Sequence, residues 1–284
     1  MRVAALQLDV VSGQVDENLT LVETGLHEAA AAGVQLVALP EMWPTSFLAS
    51  AVLEPAVYDK TQWALDLVRR LSRELDLVIV GSAYGPCEPA SPAGPEAELP
   101  ANRLHVFDRG QLALTYDKVH LFSPTAETEG FRAGTRPPSA VDSSVGRISG
   151  VVCYDLRFPE LTRVPFHEKT ELLVVPAQWP STRATHWRSL CIGRAVENQC
   201  FVLGANRTGR DLIGRRQLAL EFPGNSIVVA PSGEVLAEGD GQAGLVVADV
   251  DLADARTMQR RVPVAKDQRP ELYRSWDRAR SDDA

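Results

Sequence analysis

The stretch LTLVETGLHEAAAAGVQLVALPE, residues 19–41, joins two patterns that together predict a layered α/β fold. Its first part spaces apolar side chains three to four residues apart, as on the buried face of a helix (Leu19, Val22, Leu26 and Ala30). Gly33 follows where a glycine can end such a helix, and the run VQLVALPE comes next. A short run this apolar is typical of a strand buried on both faces or packed between sheets.

The same unit recurs along the chain. Helical spacing from Trp63 to Leu75 precedes LVIVGS, a helix predicted near 159–169 precedes LLVVPA, and a helix over about 184–199 precedes CFVLGAN. Two further segments carry hairpin signatures, with turns at 108–110 and 231–233. Helices that alternate with buried strands and hairpins predict an α/β protein with mixed sheets.

The pattern continues without a domain linker. The segment 86–100 contains five prolines and is predicted to be a surface loop that extends one hairpin. Because the units on both sides of it share one pattern, we predict a single domain over residues 1–284. The polar residues after about 266 are expected to form a tail on the surface or across a partner.

The composition excludes several classes of protein. A chain of 284 residues that is 45% hydrophobic is typical of a globular protein, and its net charge of −8 argues against a nucleic-acid surface. No apolar stretch reaches the ~18 residues of a membrane span, and the first ten residues lack a signal-peptide cleavage site. Four cysteines in so long a chain are not a disulfide framework, so we expect a cytoplasmic protein with reduced thiols.

Three of the predicted strands end in a chemically active side chain: Glu41, Lys118 and Cys153. In layered α/β folds, ligands gather outside the carboxyl ends of strands, so these side chains can converge although they are far apart in sequence. A lysine lowers the pKa of a thiol and can stabilise an oxyanion, and a carboxylate can move protons for both. Together they predict nucleophilic catalysis by a thiolate.

Each of these residues also has a structural explanation. A lone cysteine at a strand end is most often a core residue, Glu41 could be an acid at a helix N-terminus, and Lys118 could be a solvated charge at a sheet edge. A cysteine–histidine pair that uses His120 is also open. A binding or scaffold protein and a thiol-redox enzyme are the rival classes, although no resolving cysteine lies near Cys153 in the sequence. The remaining cysteines are interpreted as structural or incidental: Cys87, Cys191 and Cys200.

Three motifs carry a family resemblance. ALPEMW, YDKVHLF and GVVCYDLRFPE, in this order, resemble the Glu-Lys-Cys triad motifs of the nitrilase superfamily of carbon–nitrogen hydrolases. The blocks PAQWP, GRAVENQCFVLGANRTG and GNSIVVAPSGEVL extend the likeness over residues 2 to about 251. The resemblance implies a four-layer α-β-β-α sandwich with mixed sheets, and no metal or organic cofactor.

The resemblance also assigns roles to single residues. It implies that Cys153 is the nucleophile, that Glu41 moves the protons, and that Lys118 and the backbone N–H of Tyr154 stabilise the oxyanion. The family often has a second carboxylate, which the stretch ETEGFRAG puts at Glu127. Ala133 stands where the family pattern has proline, so Glu129 is the alternative.

The string CYDLRFPE, with HWRSL and RAVENQ, is most similar to the omega-amidase branch, which hydrolyses the terminal amide of short 2-oxo-dicarboxylate monoamides. Deaminated-glutathione amidases and N-carbamoyl amino acid amidohydrolases are the alternatives. Nitrilases follow the cysteine with Trp-Glu, whereas this chain has Tyr154 and Asp155.

Two residues are predicted to bind the substrate. Arg157 can clamp a substrate carboxylate with its two-pronged guanidinium, or it can pair with Asp155 or Glu160 in a turn. Trp179, in PAQWP, is interpreted as part of the substrate site. The expected partner is therefore a small amide, with no nucleic acid and no membrane.

We also expect a homodimer or a larger homo-oligomer. The resembled family associates through helices next to the catalytic strands, and the segment after Cys153 has more apolar and aromatic residues than one helix face needs to bury (Phe158, Leu161, Val164 and Phe166).

Overall fold

A computed structural model describes residues 1–47, 55–86, 99–125, 127–213 and 217–282. The first of two six-stranded sheets has the order β14-β1-β2-β3-β4-β5. Its strands are β1 (Arg2–Gln7), β2 (Leu36–Ala38), β3 (Val78–Gly85), β4 (Ala101–Asp108), β5 (Gln111–Asp117) and β14 (Gly244–Asp249).

The second sheet has the order β13-β12-β9-β8-β7-β6. Its strands are β6 (Ala140–Ser143), β7 (Gly146–Gly150), β8 (Leu172–Ala177), β9 (Phe201–Asn206), β12 (Ile227–Val229) and β13 (Val235–Glu238). A separate antiparallel ribbon is formed by β10 (Thr208–Ile213) and β11 (Leu218–Pro223).

The two sheets repeat one arrangement. In each sheet three neighbouring strands run parallel, β1-β2-β3 in the first and β7-β8-β9 in the second. Two antiparallel strands follow the third strand, and one antiparallel strand lies beside the first. The helix-then-strand unit predicted from the sequence is therefore a repeat in the structure.

Helices cover the outer face of each sheet. The first sheet is covered by α1 (Val15–Ala31) and α2 (Pro55–Glu74), and the second by α3 (Pro159–His167) and α4 (Ala184–Asn198). Successive residues of β1 face opposite ways: Val3 and Ala5 belong to the core between the sheets, whereas Ala4 and Leu6 pack with α1 and α2. This confirms the four-layer α-β-β-α sandwich with mixed sheets.

Both predicted hairpins are confirmed. Arg109 and Gly110 have positive φ angles of 49° and 85° in the turn between β4 and β5, and Gly233 lies in the turn between β12 and β13 with a φ of 90°. Most of the proline-rich segment, including Cys87, lies outside the described residues.

The chain ends in three helices, α5 (Ala253–Arg261), α6 (Val264–Asp267) and α7 (Pro270–Asp282), and residues 270–276 are exposed. Within the described ranges, no helix combines the length and the apolar character that a membrane crossing requires.

Candidate active site

The three predicted catalytic side chains follow strands whose ends meet between the sheets. Lys118 comes directly after β5, while Glu41 and Cys153 each stand three residues beyond β2 and β7. The sequence predicts that these two strands end at Glu41 and Cys153, whereas in the structure each strand ends three residues earlier. Cys153 has a φ of 48°, in the left-handed region that non-glycine residues rarely adopt. Its turn, Cys153–Arg157, directs the thiol back toward the first sheet.

Lys118 lies between two carboxylates. Its Nζ donates to Glu41 Oε1 at 2.8 Å and to Glu127 Oε1 and Oε2 at 2.9 and 2.8 Å. All three residues are buried, with Lys118 only 1% exposed. Lys118 is therefore an internal cation and not a solvated charge at a sheet edge. Glu127 is the carboxylate at the site, while Glu129 is exposed.

The pKa values of Lys118 and Glu127 are shifted by burial and by the charges of their neighbours. Burial by itself lowers the pKa of Lys118, but Glu127 and Glu41 outweigh it and raise the pKa above its ordinary value. Burial raises the pKa of Glu127, and the Lys118 ammonium offsets part of that rise. The lysine therefore stays charged at neutral pH.

Two further residues hold Glu41, and neither was predicted. The buried Asn102 side chain donates to Glu41 Oε1 at 2.8 Å and to Glu127 Oε1 at 3.3 Å. The backbone N–H of Gln178 donates to Glu41 Oε2 at 3.0 Å, and its side-chain amide donates to the Glu41 carbonyl at 2.9 Å. The carboxylate is thus fixed from both sheets. Gln178 lies within the block PAQWP, so the signal for it was present in the sequence.

The Cys153 thiol is protonated in this arrangement. Burial raises its pKa well above the ordinary value, and the Glu41 carboxylate raises it further. Lys118 lowers the thiol pKa, as predicted, but burial and Glu41 outweigh it. The thiol also approaches the Gln178 carbonyl at 4.0 Å. A neutral thiol beside a carboxylate requires proton transfer to that carboxylate during attack.

Asp155 joins the turn Cys153–Arg157 to the end of β5. Its carboxylate accepts from Tyr116 Oη at 2.8 Å and from the His120 N–H at 2.9 Å, and it also contacts His120 Nδ1 at 2.9 Å. His120 is therefore a partner of Asp155, and its ring stacks on Phe158 with centroids 3.5 Å apart. No hydrogen bond between His120 and Cys153 appears among the described residues, which removes the geometric basis for a cysteine–histidine pair.

Two arginines stand beside the thiol. The Arg157 guanidinium lies 4.8 Å from the centroid of the Trp179 ring, and its Nη2 is 3.1 Å from His186 Nδ1. Arg183, which was not predicted, lies over the Phe122 ring at 5.4 Å. Burial lowers the pKa of Arg157, and the charge of Arg183 adds to this. Neither of the predicted ion pairs of Arg157, with Asp155 or Glu160, is present in the structure.

These side chains line two small cavities of about 20 Å³ each, which share Cys153, Phe122, Gln178 and Pro180. The first also contains Glu41, Lys118 and Glu127, and the second contains the two arginines, Tyr154 and Trp179. A larger cavity of about 690 Å³ lies at the β10–β11 ribbon and contains none of the catalytic candidates.

The other described cysteines lie apart from this chemistry. Cys191 and Cys200 are both in the hydrophobic core between the layers. Burial raises the pKa of Cys200 to about 12 and raises that of Cys191 as well. Among the residues that the structure describes, no group of three or more His, Cys, Asp or Glu side chains is arranged to hold a metal ion.

Two relatives that are named as amidases align with most of this chain. The sequence is 32% identical over 272 residues to a 2-oxoglutaramate amidase of Bacillus subtilis (strain 168), covering 95% of this chain and 98% of that protein. It is 33% identical over 233 residues to an omega-amidase of Yersinia enterocolitica, covering 82% and 83% of the two chains.

A solved structure agrees with the fold. An amidase from Nesterenkonia sp. AN1, with acrylamide added to its active-site cysteine, superposes with a TM-score of 0.81 at 29% identity. The alignment covers 97% of this chain and 99% of that one. The carbon–nitrogen hydrolase family model matches residues 2–260. This match over nearly the whole chain, with amidase relatives along its length, means that the protein belongs to the carbon–nitrogen hydrolase family and hydrolyses carbon–nitrogen bonds other than peptide bonds.

Proposed function

We propose that the protein is an omega-amidase that removes ammonia from the terminal amide of a short 2-oxo-dicarboxylate monoamide, such as 2-oxoglutaramate. The observation that carries the proposal is the pair Arg157 and Arg183 beside the nucleophile. Both line the second of the two cavities at Cys153, and none of the described carboxylates lines that cavity. Two guanidinium groups that repel each other create a local demand for an anion, which a carboxylate of the substrate satisfies.

The first half of the reaction forms a thioester. Glu41 accepts the thiol proton as the Cys153 sulfur attacks the amide carbon. The carbonyl oxygen becomes an oxyanion, which the Lys118 ammonium and the backbone N–H of Tyr154 stabilise. Glu41 then gives the proton to the nitrogen, the carbon–nitrogen bond breaks, and ammonia leaves.

The second half releases the acid. Glu41 takes a proton from water, and the hydroxide attacks the thioester carbon to form a second tetrahedral intermediate. The carbon–sulfur bond then breaks, the sulfur recovers its proton from Glu41, and the carboxylic acid departs. Asn102, Gln178 and Glu127 have positioning roles, because their contacts keep Glu41 and Lys118 in place.

The arginines determine which amides react. The whole chain carries a net charge of −8, so an anionic substrate is not attracted by the overall field and needs a local cation. Trp179 supports Arg157 by stacking under its guanidinium, which assigns the tryptophan an indirect part in substrate binding.

Ammonia release over a substrate panel tests the proposal. The panel contains 2-oxoglutaramate, 2-oxosuccinamate, an N-carbamoyl amino acid, deaminated glutathione and a simple nitrile. We expect the highest kcat/KM with one of the first two. A higher value with the N-carbamoyl amino acid or with deaminated glutathione would assign the protein to that branch, and turnover of the nitrile alone would overturn the amidase assignment.

We also propose that the protein works in the cytoplasm as a homodimer or a larger homo-oligomer, built from one domain over residues 1–284. The apolar segment after Cys153, which suggested association, packs mostly within the protein itself, because Leu161 and Phe166 are only 8% and 4% exposed. Two aromatic residues that are far more exposed lie together on α7, where Tyr273 and Trp276 are 42% and 58% exposed. The tail after residue 266 is therefore our candidate for the contact between subunits.

A further inference from the structure

A polar cavity of about 240 Å³, separate from the two cavities at Cys153, lies at the end of β5. Asp117, the last residue of β5, lines this cavity, whereas the next residue, Lys118, lines the catalytic one. The two cavities at Cys153 share no lining residue with it.

Three arginines line this cavity: Arg103, Arg132 and Arg136. Arg103 makes a two-pronged ion pair with Asp117, with distances of 2.6 and 3.0 Å. Arg132 Nη2 reaches the same carboxylate at 3.3 Å. Asp117 is the one carboxylate among the described residues that line the cavity, and Arg103 and Arg132 share it.

The cavity contains hydrogen-bond donors that the described chain does not use. Arg132 Nε is buried and has no acceptor among the described residues. Arg136 is exposed and forms no ion pair within the same ranges. The hydroxyl groups of Thr115 and Ser139 also line the cavity. Arg136 has no ion-pair partner among the described residues, so an anion that pairs with its guanidinium would be stabilised here.

We propose that this cavity binds a phosphate-class oxyanion at a site separate from the active site. The planar guanidinium groups match the oxygens of a phosphate, and the two hydroxyl groups can donate to the remaining oxygens. A cavity of about 240 Å³ lies below the usual range for drug-sized ligands, so it suits inorganic phosphate or the phosphate group of a small metabolite.

Calorimetric titration of the full-length enzyme with inorganic phosphate at constant ionic strength tests the proposal. We expect one saturable site, weakened at least about tenfold by Arg136→Ala, because one charge-assisted contact is lost. Arg136→Ala should leave kcat/KM for the amide substrate unchanged. Arg70→Ala is the matched control, because Arg70 is an exposed arginine on α2, away from the cavity, and it should bind phosphate like the wild type.

Two further titrations distinguish this site from the active site and show whether it prefers free phosphate or a phosphate monoester. Arg157→Ala should retain phosphate binding, since its side chain lines the other cavity. Titration with glycerol 3-phosphate distinguishes a phosphate monoester from the free ion, and binding of either supports the proposal. Three results would each overturn the proposal. The first is the absence of saturable phosphate binding, and the second is tighter binding of succinate, a carboxylate probe, than of both phosphates. The third is loss of phosphate binding in Arg157→Ala but not in Arg136→Ala.

Discussion

Cys153 differs from the other described cysteines in its neighbours and not in its burial. All three described thiols are buried, but only Cys153 stands against Glu41 and Lys118. We therefore expect Cys153→Ala to fold and to lose turnover. Cys191→Ala and Cys200→Ala should keep turnover and lose about 1 kcal/mol of stability through packing. Ammonia release and urea unfolding measure the two effects, and substantial activity in Cys153→Ala would contradict the nucleophile assignment.

Glu41 adds to the rise in the pKa of the Cys153 thiol that burial causes. Its carboxylate raises the Cys153 pKa, so Glu41→Gln should lower that pKa and leave more thiolate at a given pH. We expect Glu41→Gln to react faster than the wild type with iodoacetamide at pH 8 while its amide turnover is abolished, because the proton carrier is lost. The pH dependence of alkylation, followed by intact mass, measures this. A slower alkylation in Glu41→Gln would contradict this expectation, and would mean that the loss of the base outweighs the lower thiol pKa.

At the scale of elements, the segment after Glu127 is hydrogen-bonded to the backbone of Lys118. The Gly134 N–H donates to the Lys118 carbonyl at 2.8 Å, and a Cβ at Gly134 would lie 2.1 Å from the Asp117 carbonyl oxygen. Gly134→Ala must therefore push this segment away from β5. We expect a loss of about 1–3 kcal/mol of stability and a lower kcat.

A matched glycine provides the control for that prediction. A Cβ at Gly193, inside α4, would meet nothing within 4 Å. Gly193→Ala should be neutral or stabilising by up to about 1 kcal/mol, with kcat unchanged. Denaturant unfolding and kcat on both variants make the comparison. Equal behaviour of the two variants would contradict a positioning role for the Gly134 segment.

The elements with a strong apolar pattern were predictable from the sequence. The helices α1 and α2 bury one apolar face, and the strands β3 and β8 are apolar runs in which every residue is buried. The β10–β11 ribbon was not predicted, because its residues are largely exposed and form no apolar run. Asn102 was missed as well, because it meets Glu41 across 61 residues through neighbouring strands of the first sheet and has no local pattern. Gln178 meets Glu41 across 137 residues and between the two sheets, so only its place in the block PAQWP pointed to it.

At the scale of the whole molecule, the tail is the surface where we expect a second subunit. Light scattering at micromolar concentration should give a dimer or a larger assembly. The double variant Tyr273→Ser, Trp276→Ser should shift it toward the monomer, because both rings are exposed on α7. Trp63→Ser, which removes a ring that is 50% exposed on α2, is the control and should not change the mass. A monomeric wild type would contradict the prediction.

We propose that this enzyme uses Cys153 on an amide whose far end is a carboxylate bound by arginine. The most direct test compares kcat/KM for 2-oxoglutaramate and for the neutral analogue in which a methyl group replaces the carboxylate. A two-pronged charged contact contributes about 1.5–3 kcal/mol, so Arg157→Ala should lower kcat/KM for the acid roughly 10- to 150-fold. Arg157→Lys should recover part of that loss, and the neutral analogue should react nearly as it does with the wild type. Equal losses on both substrates would mean that Arg157 only supports the turn after Cys153, and the assignment of a carboxylate-bearing substrate would be wrong.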